Sequence, residues 1–257
     1  MSLVGRRALV TGGGRGIGRA VARELGRAGV SVAAASRTRA EVEAVAAELR
    51  AAGAHAVGLI ADVSRAEDVA SLVRAANDAL GGIEILVNAA GIAPSAPLVK
   101  TSDEQWRAAI ETNLSGAFYA MRAALPGMLA AGWGRVVNLA SIAGKTGYPY
   151  ISAYAASKHG LLGLTKCAAL EVAAKGVTVN AVCPGYVDTP MTDVSIARIV
   201  EKTGLPAAAI RQRLEEASPQ KRLYTAEEVA ALVVFLCGET ASGINGQAFS
   251  VDGGTLV

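Results

Sequence analysis

Residues 7–28 read RALVTGGGRGIGRAVARELGRA, a strand that passes through a glycine-rich turn into a helix. Arg7–Val10 is a short apolar run, Thr11–Gly18 is the turn, and Ile17–Ala28 repeats its apolar residues with helical period. Such a turn lets backbone N–H groups approach a phosphate at the N-terminus of the following helix. Two phosphate signatures miss. The last Gly of a strict G-x-G-x-x-G falls on Ile17, and a P-loop would need Lys at Arg19 with Ser or Thr after it. The placement between strand and helix carries the nucleotide reading.

The same alternation continues along the chain. Further strands are expected at Val30–Ala35, Ala56–Ile60, Ile85–Asn88, Arg135–Ala140, Val177–Val182 and Gln247–Val251. Most are continuous apolar runs, as strands buried on both faces of a parallel sheet must be. Helices are expected over Arg39–Ala52, Ala66–Leu80, Ser102–Met121, Ala153–Ala174 and Ala226–Gly238. The pattern predicts an α/β fold, a single Rossmann-type, doubly wound parallel sheet of about seven strands with helices on both faces. No linker divides residues 1–257, so one domain is expected. One segment, 189–218, has helical composition but no strand, and it follows a strand's carboxyl end. That position suits a helical insertion covering a substrate.

The 257 residues are 52% hydrophobic and 18% charged, which excludes a disordered chain. No run approaches the ~18 apolar residues of a membrane-spanning helix. Twenty-five basic and twenty-two acidic residues leave +3, without the basic stripe of a nucleic-acid binder. MSLVGRRALVTGGG lacks the apolar segment of a signal peptide. Cys167, Cys183 and Cys237, with His55 and His159, have no metal-ligand spacing, so no metal is expected, and the chain reads as cytoplasmic.

Two clusters carry chemistry. At the end of the second strand a carboxylate would suit the ribose 2′-OH of NAD, and an arginine the 2′-phosphate of NADP. Here stand Ser36-Arg37-Thr38, with no carboxylate until Glu41. Tyr154 and Lys158 sit at i and i+4 on one helix face. A fixed ammonium stabilises a phenolate and lowers the tyrosine's pKa, and it could also hold a ribose hydroxyl. Ser141 follows a strand at its carboxyl edge, Asn88-Ala89-Ala90-Gly91 ends the fourth strand, and Asn113 interrupts an apolar helix.

Taken in order, Thr11–Gly18, Asp62, NAAG at 88–91, Asn113, Ser141, Tyr154, Lys158 and Pro184-Gly185 resemble the classical short-chain dehydrogenase/reductase family over essentially the whole chain. Within it the chain is similar to 3-oxoacyl thioester reductases and aromatic-polyketide ketoreductases. The resemblance implies Tyr154 as general acid/base, Lys158 as its tuner and ribose ligand, Ser141 as carbonyl donor, and Asn113 holding a relay water. It implies cofactor contacts at Gly12, Gly14, Arg15, Gly16, Ile17, Gly18, Ser36, Arg37, Asp62, Val63, Asn88, Ala89, Gly91, Pro184, Gly185, Val187 and Thr189, besides Tyr154 and Lys158. Arg15 and Arg37 stand where NADPH-preferring members keep basic residues, so NADP(H) is expected over NAD(H). Ala89 departs from the family's usual NNAG.

The implied function is an oxidoreductase interconverting a small-molecule ketone or 3-oxoacyl thioester with a secondary alcohol, in a homotetramer. Alternatives are a carrier-protein-dependent 3-oxoacyl reductase, a hydroxysteroid or other secondary-alcohol dehydrogenase, and a catalytically silent nucleotide sensor. Met128–Gly132 is apolar where carrier-dependent members place basic residues, with Lys175 nearby, which favours coenzyme A thioesters or free ketones. Arg198, Lys202, Arg211 and Arg213 could meet coenzyme A phosphates, or be solvated charges balanced by Glu201, Glu215 and Glu216.

Overall fold

The computed structural model describes residues 3–256. Its strands are β1 (Arg7–Thr11), β2 (Ser31–Ser36), β3 (Ala56–Ile60), β4 (Ile85–Asn88), β5 (Gly134–Leu139), β6 (Val177–Pro184) and β7 (Ala248–Val251). They form one seven-stranded sheet in the order β3-β2-β1-β4-β5-β6-β7, with every pairing parallel. The helices are α1 (Gly16–Arg27), α2 (Arg39–Ala51), α3 (Ala66–Leu80), α4 (Asp103–Ile110), α5 (Gly116–Ala131), α6 (Ser152–Val172), α7 (Pro190–Thr203), α8 (Ala207–Ala217) and α9 (Ala226–Cys237).

Alternation along the strands explains the continuous apolar runs. Ala8 and Val10 of β1 enter a core with α1, α2 and α9, whereas Leu9 between them enters the opposite core with α3, α5 and α6. Neither face is left to water, so neither set can be polar. The chain works outward from β1 through β2 to β3, then returns to β4 on the other side of β1. The topological switch point therefore lies between β1 and β4, where Thr11 stands beside Asn88.

The segment from 102 to 121 departs from the expected single helix. Ser102 and Gln105 form a reciprocal capping box that starts α4, but regular helix stops at Ile110. Glu111–Ser115 make a π turn containing Asn113, and α5 then runs on to Ala131. It passes through Pro126, which forfeits one helical N–H, and ends at Gly132 in the left-handed conformation. The 189–218 segment forms α7 and α8, joined through Gly204.

Gly176, entering β6, has φ +73°, and a side chain there would overlap the carbonyl oxygen of Gly132. Gly176→Ala is expected to destabilise the fold by about 1–3 kcal/mol, since it combines left-handed strain with a backbone clash. A thermal or urea midpoint equal to that of the parent would contradict this.

Candidate active site

The turn after β1 is built for close approach. Gly12 has φ +67°, and a Cβ on it would come within 2.6 Å of the Ala90 nitrogen, so the turn lies directly against the loop after β4. Ala89 N donates to Thr11 O at 3.1 Å and fixes that contact. Gly16 has φ +52°, and its Cβ position faces Thr189 at 3.5 Å across the cleft. No side chain caps α1 and no acid sits in its first turn, which leaves its N-terminal N–H groups directed at the cleft.

That cleft, about 300 Å³, is lined by Gly12, Gly14, Arg15, Gly16, Ile17 and Gly18 from the turn, and by Ser36 and Arg37 from the end of β2. Asp62, Val63, Ala89, Gly91 and Thr189 complete the sequence-derived set that meets here. Burial pushes the Asp62 carboxyl up, but the Ser64 hydroxyl and amide with Arg37 and Arg65 outweigh it, and the net shift is downward. Asn88, Pro184, Gly185 and Val187 are not among the lining residues. Asn88 Nδ2 donates to Asn138 Oδ1 at 2.8 Å, and Asn138 Nδ2 to Thr165 Oγ1 at 2.9 Å, which ties β4 to β5 and α6. Gly185 N donates to Val251 O, and the buried Val187 accepts from the hydroxyls of Thr189 and Thr192.

Sequence alone did not place Glu41, Ile92, Thr112, Met191 or Arg198 in the cleft lining, where the structure puts them. The signal for Met191 and Arg198 lay in the helical 189–218 segment. Arg198 Nη1 donates to Ala93 O at 2.9 Å, so α7 spans the cleft to the loop after β4.

Gly91 joins the cleft to the second cluster. Its Cβ position lies 3.3 Å from Asn113 Oδ1 and 3.7 Å from Lys158 Nζ. Lys158, buried on α6, donates to Leu139 O at 2.7 Å. Ser141 caps a single 3₁₀ turn, its Oγ accepting from Ala143 N at 3.1 Å, and its hydroxyl also faces the Tyr154 phenol. Asn113 is fully engaged: Oδ1 accepts from Ile92 N at 2.8 Å, while Nδ2 donates to Ile92 O and to Ser157 Oγ, both at 2.9 Å. Ser157 in turn donates to Tyr154 O at 2.7 Å. The Asn113 side chain thus staples a loop to α6.

Burial pushes the Tyr154 phenol up, with the Ser141 hydroxyl pulling it down less strongly, and Cys183 and Tyr186 add to the rise. Burial brings Lys158 down from 10.5 to about 8. Removal from water is the largest influence on both groups in this state, and the Lys158 ammonium lies 5.7 Å from the Tyr154 ring centroid. Beside Ile142 lies a small hollow of about 60 Å³, lined by Tyr148, Tyr186, Tyr224, Ala217, Ser218 and Thr255, without formal charge.

Comparison with known proteins agrees with this geometry. A family model described as "Enoyl-(Acyl carrier protein) reductase" matches residues 12–255. The chain is 41% identical to the 3-oxoacyl-(acyl-carrier-protein) reductase of Pseudomonas aeruginosa, over 99% of this chain and 98% of that protein. It is 38% identical to the D-beta-hydroxybutyrate dehydrogenase of Rhizobium meliloti, over 96% and 97% respectively. A variant of actinorhodin polyketide ketoreductase, solved with NADPH, superposes with a TM-score of 0.94 at 38% identity, covering 97% of both chains.

The buried ammonium makes stability depend on pH. Between about 8 and 10.5 Lys158 is protonated in the unfolded chain but increasingly neutral in the folded one, so its penalty shrinks as pH rises through this window. Below about 8 the full penalty applies, roughly 3 kcal/mol for a shift of this size. Without cofactor, Lys158→Met is expected to melt above the parent at pH 7, with the gap closing toward pH 10.5. A variant melting below the parent at pH 7, or a gap independent of pH, would contradict this.

Proposed function

The chain belongs to the short-chain dehydrogenase/reductase family, and from that premise we propose that it interconverts a ketone or 3-oxoacyl thioester with its secondary alcohol, preferring NADP(H) to NAD(H). As a member it is an oxidoreductase of alcohol and ketone groups that uses a nicotinamide cofactor. The observation that carries the proposal is Gly91, where the cleft beside the glycine turn meets the Lys158 ammonium. The residues present fit such a nucleotide: an uncapped helix N-terminus, a turn in which a Cβ would fill the space, Arg15 in that turn and Arg37 at the end of β2.

When bound, the nicotinamide supplies or accepts the hydride. The N–H groups of the Gly14–Gly18 turn would hold the pyrophosphate, Asp62 and Val63 the adenine, and Thr189 the nicotinamide end. Arg15 and Arg37 would take a 2′-phosphate. Ser141 would donate its hydroxyl hydrogen to the substrate oxygen, and Tyr154 gives that oxygen a proton in reduction or removes one in oxidation. Lys158 stabilises the phenolate left behind and holds a ribose hydroxyl. The α7–α8 segment acts as a lid over this assembly.

The uncharged hollow beside Ile142 favours a neutral carbonyl or thioester over a free hydroxy acid, whose carboxylate would lie there without a cation. Leu129–Gly132 is exposed and uncharged, which favours a coenzyme A thioester or free ketone over an acidic carrier protein. Tyr154, Lys158 and Ser141, all in place, speak against a silent nucleotide sensor. Exposed Trp106, Phe118 and Leu170 on α4, α5 and α6 support a homotetramer.

Tyr154→Phe is expected to cut turnover by about 10²–10⁴-fold while leaving cofactor affinity unchanged, because it removes only the proton. Half the parent rate on the best ketone of a substrate panel would assign the acid to another group. Arg37→Ala is expected to weaken NADPH by about tenfold, the low end for a hydrogen bond to a charged group at an exposed position, and to spare NADH. Equal kcat/KM for the two cofactors in the parent enzyme would overturn the preference.

A further inference from the structure

Glu41 stands five residues beyond the end of β2, yet the fold returns its carboxylate to that strand end. A Cβ built on Gly14 would lie 3.0 Å from Ser36 Oγ, 2.8 Å from Glu41 Cβ and 3.0 Å from Glu41 Oε2. The carboxylate thus shares one corner of the cleft with Ser36 and the glycine turn. On the opposite side Glu41 Oε1 faces Arg15 Nη1 at 3.8 Å.

The local sequence offers Glu41 another task, which it does not perform. Thr38-Arg39-Ala40-Glu41 has the spacing of a capping box. At Ser102–Gln105 and Thr225–Glu228 the same spacing produces reciprocal cap bonds, whereas Thr38 makes no side-chain cap bond to α2. Glu41 is half-buried and lines the cleft.

Charge then decides what the corner recognises. Arg15 faces Glu41, and Arg37 Nη1 faces Asp62 Oδ2 at 3.9 Å, so two guanidiniums are matched by two carboxylates. A 2′-phosphate entering here meets a balanced corner and must draw Arg15 away from Glu41. A 2′-hydroxyl can donate to the carboxylate instead.

We propose that Glu41 is a specificity-determining residue: its carboxylate, set between Gly14, Ser36 and Arg15, accepts from a ribose 2′-hydroxyl and restrains preference for the 2′-phosphorylated nucleotide. The inference rests on the dinucleotide reading of the cleft given above. Its test is calorimetric titration of the cofactor-free protein with 2′,5′-ADP and with ADP, beside kcat/KM for NADPH and NADH. Glu41→Gln is expected to tighten 2′,5′-ADP by about fivefold, the factor for unit charges about 4 Å apart in water, while ADP binds no more tightly. The NADPH to NADH ratio of kcat/KM rises in step. If Glu41→Gln and Glu41→Ala both bind the two probes with an unchanged ratio, the proposal is overturned and the dinucleotide reading stands. If neither probe binds the unaltered protein, that reading falls and takes this proposal with it.

Discussion

Burial of the central strands on both faces is the constraint from which the rest of the molecule follows. From Ala8 to Thr11, along all of β4, β5 and β6, no residue reaches water. The few polar side chains there mostly pair within the core, as Asn138 does with Asn88 and Thr165, although Asn88 Oδ1 and Thr178 Oγ1 find no partner among the described residues. Reactive groups are therefore displaced to the strands' carboxyl ends. Thr11, Ser36, Asn88 and Ser141 all stand there, and parallel pairing brings those ends to one edge. The switch point between β1 and β4 then opens the cleft, because the chain leaves in opposite directions on its two sides.

The same burial sets the electrostatics of the candidate site. An ammonium held out of water at Lys158 is costly, and the Leu139 carbonyl offsets only part of that cost. What the arrangement gains is position. The hydrogen bond anchors α6 to the end of β5, Asn113 anchors it through Ser157 to the loop after β4, and Tyr154 sits one helical turn before both anchors. A group that balances the Lys158 charge also relieves its burial, so the empty and the charged-partner states of this site differ in both affinity and stability.

The sheet was legible in the sequence because two-face burial leaves uninterrupted apolar runs, and the expected strands match β1–β7 to within about two residues at their ends. The clustering of Tyr154, Lys158 and Ser141 was legible from their order along the chain. The π turn at Glu111–Ser115 was not, since its cause is tertiary: Asn113 is drawn to Ile92 and Ser157, partners 21 and 44 residues away. Glu41 was passed over for a related reason. Position along α2 says that it belongs to the first turn, but only the approach of Gly14 and Arg15 shows which way its carboxylate faces. Asn88 shows the converse, a residue placed in the cleft by its motif whose side chain serves the core.

The basic side chains of α7 and α8 show how packing decides between two readings of one charge pattern. Arg198 and Lys202 donate to the carbonyls of Ala93 and Ser95, and Arg211 is paired with Asp188 and Glu215. The contacts to Ala93, Ser95 and Asp188 hold the two-helix arm against the body of the protein, and the Glu215 pair lies within α8. A phosphate that recruited Arg198 or Lys202 would have to break a charge-assisted bond, worth about 1.5–3 kcal/mol, and would release the arm from the loop after β4. Arm closure and phosphate capture therefore compete for the same two cations. The α7–α8 segment can hold its position over the cleft or use these residues to bind an acyl carrier's phosphates, and a neutral substrate requires only the first.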